Sequence, residues 1–336
     1  MNIKNLVFNY LRLIRPQGGA ATAIVVVIGS LLMMGEKNLD YLMILFSIGF
    51  FCHVFIFVLN EYADILVDDK SKNLKEKPLV SGVIPKKHAL LIAFFACFCA
   101  YVLTLFFFLS FFSLLFLTLA LLSGGIYDVL GKRIPGSDVF IAGGCFFGCL
   151  FGASTVSSDF TDLVYIVSFS IFFYILFSNA VVGGIKDADH DEQAGAKTTA
   201  TRLGVKVKNG KIFITRKFTF FAYSAIFIYI CLIVLAGFQP ELNFWQTNKF
   251  FIHIILVSLI FIVMASLYKF WHPSNFNRSR LYRLFGINEF FAYSLAPLIL
   301  LPMVGINVAL TILLVPLFWM LIINSFLYGK PMHPNV

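Results

Sequence analysis

Charged residues are scarce in this chain of 336 residues. They make up 13% of the sequence, whereas hydrophobic residues make up 60% and aromatic residues 17%. Ordinary soluble domains contain about 25% charged and about 45–50% apolar residues. The shortage of charge, with a mean hydropathy of +0.88, excludes a soluble enzyme, a disordered chain and a secreted disulfide scaffold. We therefore expect a polytopic membrane protein.

Recognisable cysteine motifs are also missing. All six cysteines lie in apolar runs, with no C-x-x-C pair and no cysteine–histidine cluster at the spacing of a zinc site. They are interpreted as small apolar residues at helix interfaces. The sequence therefore gives no indication of disulfide, redox or zinc chemistry.

Long apolar runs are abundant, and ten of them approach the roughly 20 residues that a helix needs to cross a bilayer. Pro297, Pro302 and Pro316 fall in the last two runs, so one of these is expected to be kinked or only partly inserted. The sequence predicts an all-α bundle of nine or ten transmembrane helices in a single domain, 1–336. The candidate spans are 17–34, 41–60, 88–108, 109–127, 137–155, 163–183, 218–237, 250–270, 286–305 and 308–327.

Basic residues are concentrated on one side of these spans. With the N-terminus placed in the cytoplasm, all 26 lysines and arginines except Lys37 and Lys249 fall in cytoplasmic segments. This bias is the positive-inside pattern of cell-membrane proteins, so we expect the N-terminus and the polar loops to be cytoplasmic. The net charge of +9 is then an orientation signal, and no nucleic-acid partner is expected.

Acidic residues are rare, and eight of the 17 fall in two short segments. Asn60, Asp64 and Asp68 follow one another at intervals of four residues at the inner end of the second span, which places them on one helical face. Asp187 and Asp191 repeat this interval after the sixth span. Like charges at this spacing destabilise a helix unless a cation lies between them. Because oxygen ligands favour magnesium, which bridges carboxylates to phosphates, the two motifs predict a shared magnesium site. The alternative is a solvated acidic loop paired with lysines.

Cations near the two motifs would complete a site for an anion. Lys77 follows the first motif, Lys197 follows the second, and Arg15 precedes the first span. Orientation bias alone explains many such residues. Lys132 and Arg133 are the strongest candidates, because a loop of about nine residues keeps them close to the helix ends.

In order and spacing, these motifs resemble the signatures of the UbiA superfamily of intramembrane prenyltransferases. The resemblance covers about residues 10–270, and the C-terminal spans 286–327 follow it. The residues that carry it are Arg15 and Pro16, Asn60, Asp64 and Asp68, Lys77 and Pro78, Tyr127 and Lys132, and Asp187, Asp191, Lys197, Thr198 and Thr199.

The chain also departs from the family pattern. The family often has Asp where this chain has Glu61, and it commonly has Arg where this chain has Lys77. The ammonium group of a lysine acts as a point charge, whereas the guanidinium group of an arginine can donate two parallel hydrogen bonds to one anion. Nine spans are usual in the family, so the segment 308–327 would be an addition.

The resemblance implies a helical bundle around a central cavity with a polar cap on the cytoplasmic side. It also implies magnesium-dependent transfer of a polyprenyl group from a prenyl diphosphate to a lipophilic or aromatic acceptor within the membrane, with release of pyrophosphate. The alternatives in the same superfamily are transfer to a glycerophosphate or sugar-phosphate acceptor and terpene cyclisation. A cation-coupled transporter is a further alternative, but transporters place charged sites near the midplane of the membrane.

The resemblance assigns a role to each motif residue. Two magnesium ions would be held by Asp64 with Asp68 and by Asp187 with Asp191, and Asn60 would add a neutral ligand. Cationic side chains would neutralise the charge of the pyrophosphate as it leaves. Tyr127 would stabilise the allylic cation through its ring or donate a hydrogen bond to phosphate. The expected cations are Lys132, Arg133 and Lys77, with Arg15 and Lys197 as further contacts to the substrate.

Polar residues inside the spans are further candidates for substrate contact, since such residues are usually functional. His53 and Asn179 lie two turns before Asn60 and Asp187, so both are expected to line the same chamber. A neutral histidine that is hydrogen-bonded between helices is the alternative for His53. Glu289, near the inner end of the ninth span, is expected to pair with Arg283.

The charge pattern predicts that both acidic motifs lie on the same side of the membrane. Single cysteines introduced near Lys72 and Lys208 should therefore be labelled by an impermeant maleimide from the cytoplasmic side only. The unmodified chain, with its six native cysteines, is the control for background labelling. Labelling of the two positions from opposite sides would contradict a site shared by the two loops.

Overall fold

A computed structural model of the protein describes residues 3–33, 38–69, 74–246, 250–270 and 276–332. Lys37, Lys70, Lys72 and Lys249 lie outside the described residues. The described chain is largely helical and contains one antiparallel hairpin formed by β1 (Lys206–Lys208) and β2 (Lys211–Phe213). The helices are α1 (Ile3–Ile14), α2 (Gly19–Leu31), α3 (Leu39–Asp68), α4 (Lys86–Phe107), α5 (Phe111–Leu130), α6 (Asp138–Ser154), α7 (Asp162–Leu176), α8 (Gly184–Lys186), α9 (Ala188–Ala194), α10 (Thr199–Arg202), α11 (Arg216–Ala236), α12 (Phe250–Phe270), α13 (Arg278–Val304) and α14 (Ile306–Tyr328).

Every predicted span overlaps one of these helical segments. Within the described residues, eight helices are long and apolar enough to cross a membrane, and the bent pair Asn5–Ile14 and Pro16–Leu31 gives a ninth. The helix α6 is apolar but shorter, with 17 residues. A π-helical turn, Phe177–Gly183, joins α7 to α8 in one rod of 25 residues. The predicted all-α membrane bundle is therefore confirmed.

The first span is bent by 43° at Arg15. Arg15 adopts a left-handed backbone conformation, with φ 46° and ψ 54°, which is strained for a residue other than glycine. Pro16 then begins a 3₁₀ turn at Pro16–Gly18, a position where its missing N–H is tolerated. His53 holds the bend, because its Nε2 lies 2.8 Å from the carbonyl oxygen of Arg15.

The helix α14 closes the bundle at this bend. The indole Nε1 of Trp319 donates to the carbonyl oxygen of Pro16 at 2.6 Å, and the guanidinium of Arg12 donates to the carbonyl oxygen of Leu327 at 3.3 Å. The segment 308–327, which is unexpected from the family pattern, is therefore part of the wall around the first span.

Small residues allow α2 and α6 to touch along their backbones. A Cβ added at Gly29 would lie 1.9 Å from the carbonyl oxygen of Cys149, and one added at Gly152 would lie 1.9 Å from that of Val26. Close approach of this kind is typical of helix packing in membranes. On the other face of α2, a Cβ added at Gly49 of α3 would lie 2.6 Å from the Cα atom of Ala23. These contacts fix α2 against α6 on one side and against α3 on the other.

Candidate active site

The two acidic motifs line one cavity of about 380 Å³ at the polar ends of α3, α5 and α7. The motifs are more than a hundred residues apart in sequence, and the fold brings them together. Arg133 and Lys197 are exposed and do not line this cavity. The predicted site residues that do line it are Arg15, His53, Asn60, Asp64, Asp68, Lys77, Tyr127, Lys132, Asn179, Asp187 and Asp191.

Carboxylates and cations alternate along one wall of the cavity. Lys132 Nζ lies 2.9 Å from both Asp64 Oδ2 and Asp68 Oδ1. Lys77 Nζ lies 2.7 Å from Asp68 Oδ2 and 3.0 Å from Glu61 Oε1, and Glu61 also pairs with Arg15. Buried carboxylates are costly unless they are paired. We call this row the ion-pair chain, and in order its members are Arg15, Glu61, Lys77, Asp68, Lys132 and Asp64.

The ion-pair chain gives both departures from the family pattern a structural role. Glu61 and Lys77 are partners of each other, so the substituted glutamate and the substituted lysine belong to the same charge network. Burial alone would lower the pKa of Lys132, but the carboxylates of Asp64 and Asp68 outweigh it and raise this pKa above its ordinary value. Lys132 is therefore a permanent cation between the aspartates of the first motif.

The second motif begins at a break in the helix. Asp187 is the N-cap of α9 and Asp191 lies one turn later, where its backbone N–H donates to the Asp187 carbonyl oxygen at 2.9 Å. Burial, together with the nearby charge of Asp187, raises the pKa of Asp191 to about 7. This carboxyl group would therefore take up a proton near neutral pH unless a cation is present.

Arg278 joins the site from the start of α13, and the sequence reasoning missed it. Its Nη2 lies 2.6 Å from Asp189 Oδ1 and 3.7 Å from Asp187 Oδ1. Burial and the charge of Arg278 lower the pKa of the neighbouring His190. The sequence shows Arg278 only as one of several basic residues in a loop, because its role depends on the docking of α13 against α8 and α9.

A hydrogen-bond network fixes Tyr127 and Asn179. Asn179 Nδ2 donates to Tyr127 Oη and to Asp138 Oδ1, both at 2.7 Å. Thr199 Oγ1 donates to the other carboxylate oxygen of Asp138 and accepts from the backbone N–H of Gly136 at 3.0 Å. Asp138 was not among the predicted residues. The network ties the Thr199 segment of the second motif to the loop that carries Lys132.

His53 is hydrogen-bonded within the protein and also lines the cavity. Its Nε2 contacts the Arg15 carbonyl oxygen, and its Nδ1 lies 3.1 Å from Thr22 Oγ1. Both ring nitrogens therefore have protein partners. This geometry matches the alternative expectation of a histidine bonded between helices, and the ring of Phe57 packs against it with the centroids 4.2 Å apart.

The donor set of the cavity suits a hard divalent cation. The four motif aspartates and Asn60 provide oxygen atoms only, the ligands that magnesium prefers. Asp128 adds a further buried carboxylate on the same cavity, and neither of its oxygens receives a hydrogen bond of normal geometry, although Asn60 lies close by. Among the described residues, no three acidic, histidine or cysteine side chains are grouped tightly enough to hold a metal as they stand. Lys132 lies between Asp64 and Asp68, so a metal would have to displace its ammonium group.

Three solved structures share this fold at low sequence identity. A UbiA homologue from Archaeoglobus fulgidus bound to GPP and Mg²⁺ matches with a TM-score of 0.60 and 19% identity, over 87% of this chain and 99% of the other. A UbiA homologue from Aeropyrum pernix K1 in the apo form matches with a TM-score of 0.61 and 14% identity, over 90% of this chain and 100% of the other. A digeranylgeranylglyceryl phosphate synthase structure matches with a TM-score of 0.52 and 18% identity, over 94% of this chain and 98% of the other.

Sequence comparison gives a family assignment. No curated protein sequence matches the chain significantly. The model of the UbiA prenyltransferase family, however, matches residues 22–295, a range that contains both acidic motifs and all the residues of the cavity wall except Arg15, Gln17 and Gly18. The chain therefore belongs to the UbiA prenyltransferase family.

Proposed function

We propose that this prenyltransferase uses magnesium to transfer a polyprenyl group from a prenyl diphosphate to the aromatic ring of a quinone-type precursor within the membrane. The observation that supports this proposal is the convergence of both aspartate motifs on one cavity that also contains Lys77 and Lys132. The solved UbiA homologues bound to GPP or DMAPP with Mg²⁺ support the choice of donor and metal. The similarity to a digeranylgeranylglyceryl phosphate synthase keeps a glycerophosphate acceptor as the second candidate.

The metal would be held by the carboxylates that line the cavity. Asp64 and Asp68, with the amide oxygen of Asn60, form one group of donors, and Asp187 with Asp191 forms the other. Asp128 adds a carboxylate beside Asn60. When bound, magnesium would neutralise the diphosphate and weaken the bond between its oxygen and the prenyl C1 atom.

The cations of the ion-pair chain have a second role in this reaction. A divalent ion at Asp64 and Asp68 would repel the ammonium groups of Lys132 and Lys77 from these carboxylates. The released ammonium groups can then donate to the phosphate oxygens, where negative charge increases as the C1–O bond breaks. Arg278, which contacts Asp187 and Asp189, can change partner in the same way.

The transfer itself exchanges one bond for another. The C1–O bond breaks and its electron pair leaves with pyrophosphate, while an electron pair of the acceptor ring forms a bond to C1. The ring then loses a proton and becomes aromatic again. Tyr127, whose hydroxyl group is fixed by Asn179, lies in the cavity wall and would stabilise the allylic cation. We place this cavity on the cytoplasmic side because the basic segments lie there.

The decisive test of this function is the identity of the product. Detergent-solubilised protein is supplied with labelled geranyl diphosphate, magnesium and a panel of phenolic and glycerophosphate acceptors, and the products are analysed by mass spectrometry. We expect a carbon–carbon adduct on an aromatic ring together with pyrophosphate. Transfer to a glycerophosphate hydroxyl alone would favour the second candidate, and a prenyl hydrocarbon without an adduct would indicate a cyclase.

Loss of a motif aspartate should abolish most of the activity. We expect Asp64→Ala and Asp191→Ala each to reduce turnover by about 10²-fold or more, since removing a metal ligand undoes several kcal/mol of charge neutralisation. Pyrophosphate release is the measurement, and a chelator should stop it until magnesium is restored. Asp159→Ala, in an exposed loop, is the control. Normal turnover by a variant that carries both Asp64→Ala and Asp191→Ala would refute the metal assignment.

The same site should show a defined pH dependence. Because the pKa of Asp191 is raised to about 7, protons compete with magnesium below this pH and not above it. The magnesium concentration for half-maximal activity should therefore rise as the pH falls through 7 and remain constant at higher pH. Asp191→Asn, measured through its residual activity, should lose this dependence.

Lys132 should contribute more to turnover than the basic residues outside the cavity. We expect Lys132→Gln to raise the barrier by about 1–3 kcal/mol, a loss of more than about tenfold at the middle of this range, because this ammonium group lies within the cavity. Arg133→Gln should cause a smaller loss, since its side chain is exposed. Lys208→Gln, on the exposed hairpin, should remain within about twofold. Turnover is compared at equal amounts of monodisperse protein. Equal losses in all three variants would mean that the basic residues act only through a general positive potential and that Lys132 has no specific contact with the diphosphate.

A further inference from the structure

Two further cavities adjoin the polar cavity at Asn179, and we call them its arms. One arm, of about 520 Å³, lies between α2, α7, α11, α13 and α14, and we call it the side arm. The other, of about 190 Å³, lies between α2, α3, α5 and α6, and we call it the apolar arm. Asn179 belongs to the π-helical turn and lines the polar cavity and both arms. Turns of this type occur frequently at functional sites.

The apolar arm has the chemistry of a hydrocarbon site. No aspartate, glutamate, lysine or arginine lines it among the described residues. Its polar members include Thr22 and His53, which are hydrogen-bonded to each other. The arm is therefore suited to the prenyl tail, whose C1 atom would remain beside Asn179 in the polar cavity.

The side arm differs because its wall contains a carboxyl group. Glu289 of α13 lines it, and Ser178 Oγ donates a hydrogen bond to Oε1 of this glutamate. The expected ion pair with Arg283 is not formed, and Arg283 is exposed. Lys186 is the one cation among the described residues of this wall; it lies 3.9 Å from Asp187 Oδ2, and its charge also acts on Glu289. Because a carboxyl group inside a membrane protein needs polar partners, a hydrocarbon chain packed against Glu289 would be unfavourable.

Four tyrosines line the side arm together with Glu289, and protein atoms bind the hydroxyl groups of three of them, Tyr174, Tyr229 and Tyr293. Tyr229 and Tyr293 donate to the carbonyl oxygens of Ala292 and Ile312 at 2.7 and 2.8 Å. Tyr174 packs against both, with ring centroids at 5.5 and 6.3 Å. The tyrosines therefore contribute aromatic surface to the arm. A carboxylate can accept more hydrogen bonds than the one from Ser178, so Glu289 can bind a further polar hydrogen, as can the amide oxygens of Gln17 and Asn324 on the same wall.

We propose that the side arm is the acceptor site and that Glu289 accepts a hydrogen bond from a hydroxyl group of the acceptor. It follows that the acceptor presents a phenolic hydroxyl at this end and carries no carboxylate or phosphate beside it. A second anion would face Glu289 where little water is present to screen the repulsion. This inference rests on the proposed transfer reaction and narrows its acceptor to an uncharged phenol.

The test compares acceptors that differ by one charge. Wild-type protein, saturated with geranyl diphosphate and magnesium, is supplied with 1,4-dihydroxynaphthalene or its 2-carboxylate, and with hydroquinone or its carboxylate. We expect kcat/KM to favour the neutral member of each pair by about tenfold or more, which corresponds to about 1.4 kcal/mol. Glu289→Gln should reduce this preference by about tenfold, because the repulsive charge is removed. The KM for geranyl diphosphate should remain within about twofold, as should all parameters of the exposed control Glu241→Gln.

A second pair of variants keeps the test independent of the folding of Glu289→Gln. Ala21 lines the side arm but neither of the other cavities, so Ala21→Leu should raise the KM for the acceptor and leave that for geranyl diphosphate unchanged. A Cβ added at Gly148 in the apolar arm would make ordinary contacts of 3.8 and 4.0 Å with Val25 and Val26. Gly148→Ala should therefore change the KM for geranyl diphosphate and leave the KM for the acceptor unchanged.

The outcomes separate this inference from the proposed function. Transfer to the charged members alone, or an unchanged preference in Glu289→Gln with an unchanged acceptor KM in Ala21→Leu, would overturn the acceptor site while leaving the transferase reaction in place. If no prenyl diphosphate is consumed with any acceptor, the proposed function fails and this inference fails with it.

Discussion

Neutralisation of buried carboxylates by buried cations determines the arrangement of the polar end of this bundle. Glu61, Asp64 and Asp68 all come from α3, but their partners come from three other segments: the bend in the first span, the loop after α3 and the loop after α5. Each carboxylate would be costly to bury alone. The ion-pair chain therefore draws four parts of the sequence to one wall, and the strained bend at Arg15 is part of the cost of this arrangement.

The ion-pair chain also explains how the site can be stable without its ligands and still bind them. Before metal and diphosphate arrive, the lysines satisfy the aspartates, so the helices can pack without free negative charge. In the proposed reaction, the carboxylates would hold the metal and the lysines would donate to the diphosphate, so each charged group would keep a partner of opposite sign. Exchange of partners avoids the large penalty of exposing unpaired charges at low dielectric. A compact metal site among the described residues is accordingly not formed in advance.

Local periodicity made α3 predictable, whereas contacts between distant segments were not. The interval of four residues places Asn60, Asp64 and Asp68 on one face, and all three line the cavity. The expected pair of Glu289 with Arg283 was wrong because six residues along a helix correspond to about 1.7 turns, which points the two side chains in different directions. Asp128 stood next to Tyr127 in the motif, but its burial on the cavity depends on the packing of α5 against α3. Arg278 likewise depends on how α13 docks.

The position of Asn179 would give the proposed reaction a fixed centre. A bond can form only when the reacting atoms are about 3–3.5 Å apart, so the prenyl C1 atom and the acceptor must meet where their two sites join. Among the described residues, Asn179 alone lines the polar cavity and both arms. Its amide is held by Tyr127 on α5 and by Asp138 on α6, so the junction cannot shift without breaking two hydrogen bonds. In the proposed assignment of the arms, the hydrocarbon tail and the hydroxyl-bearing acceptor would occupy separate cavities, and the fixed amide group of Asn179 would mark the place where the two meet.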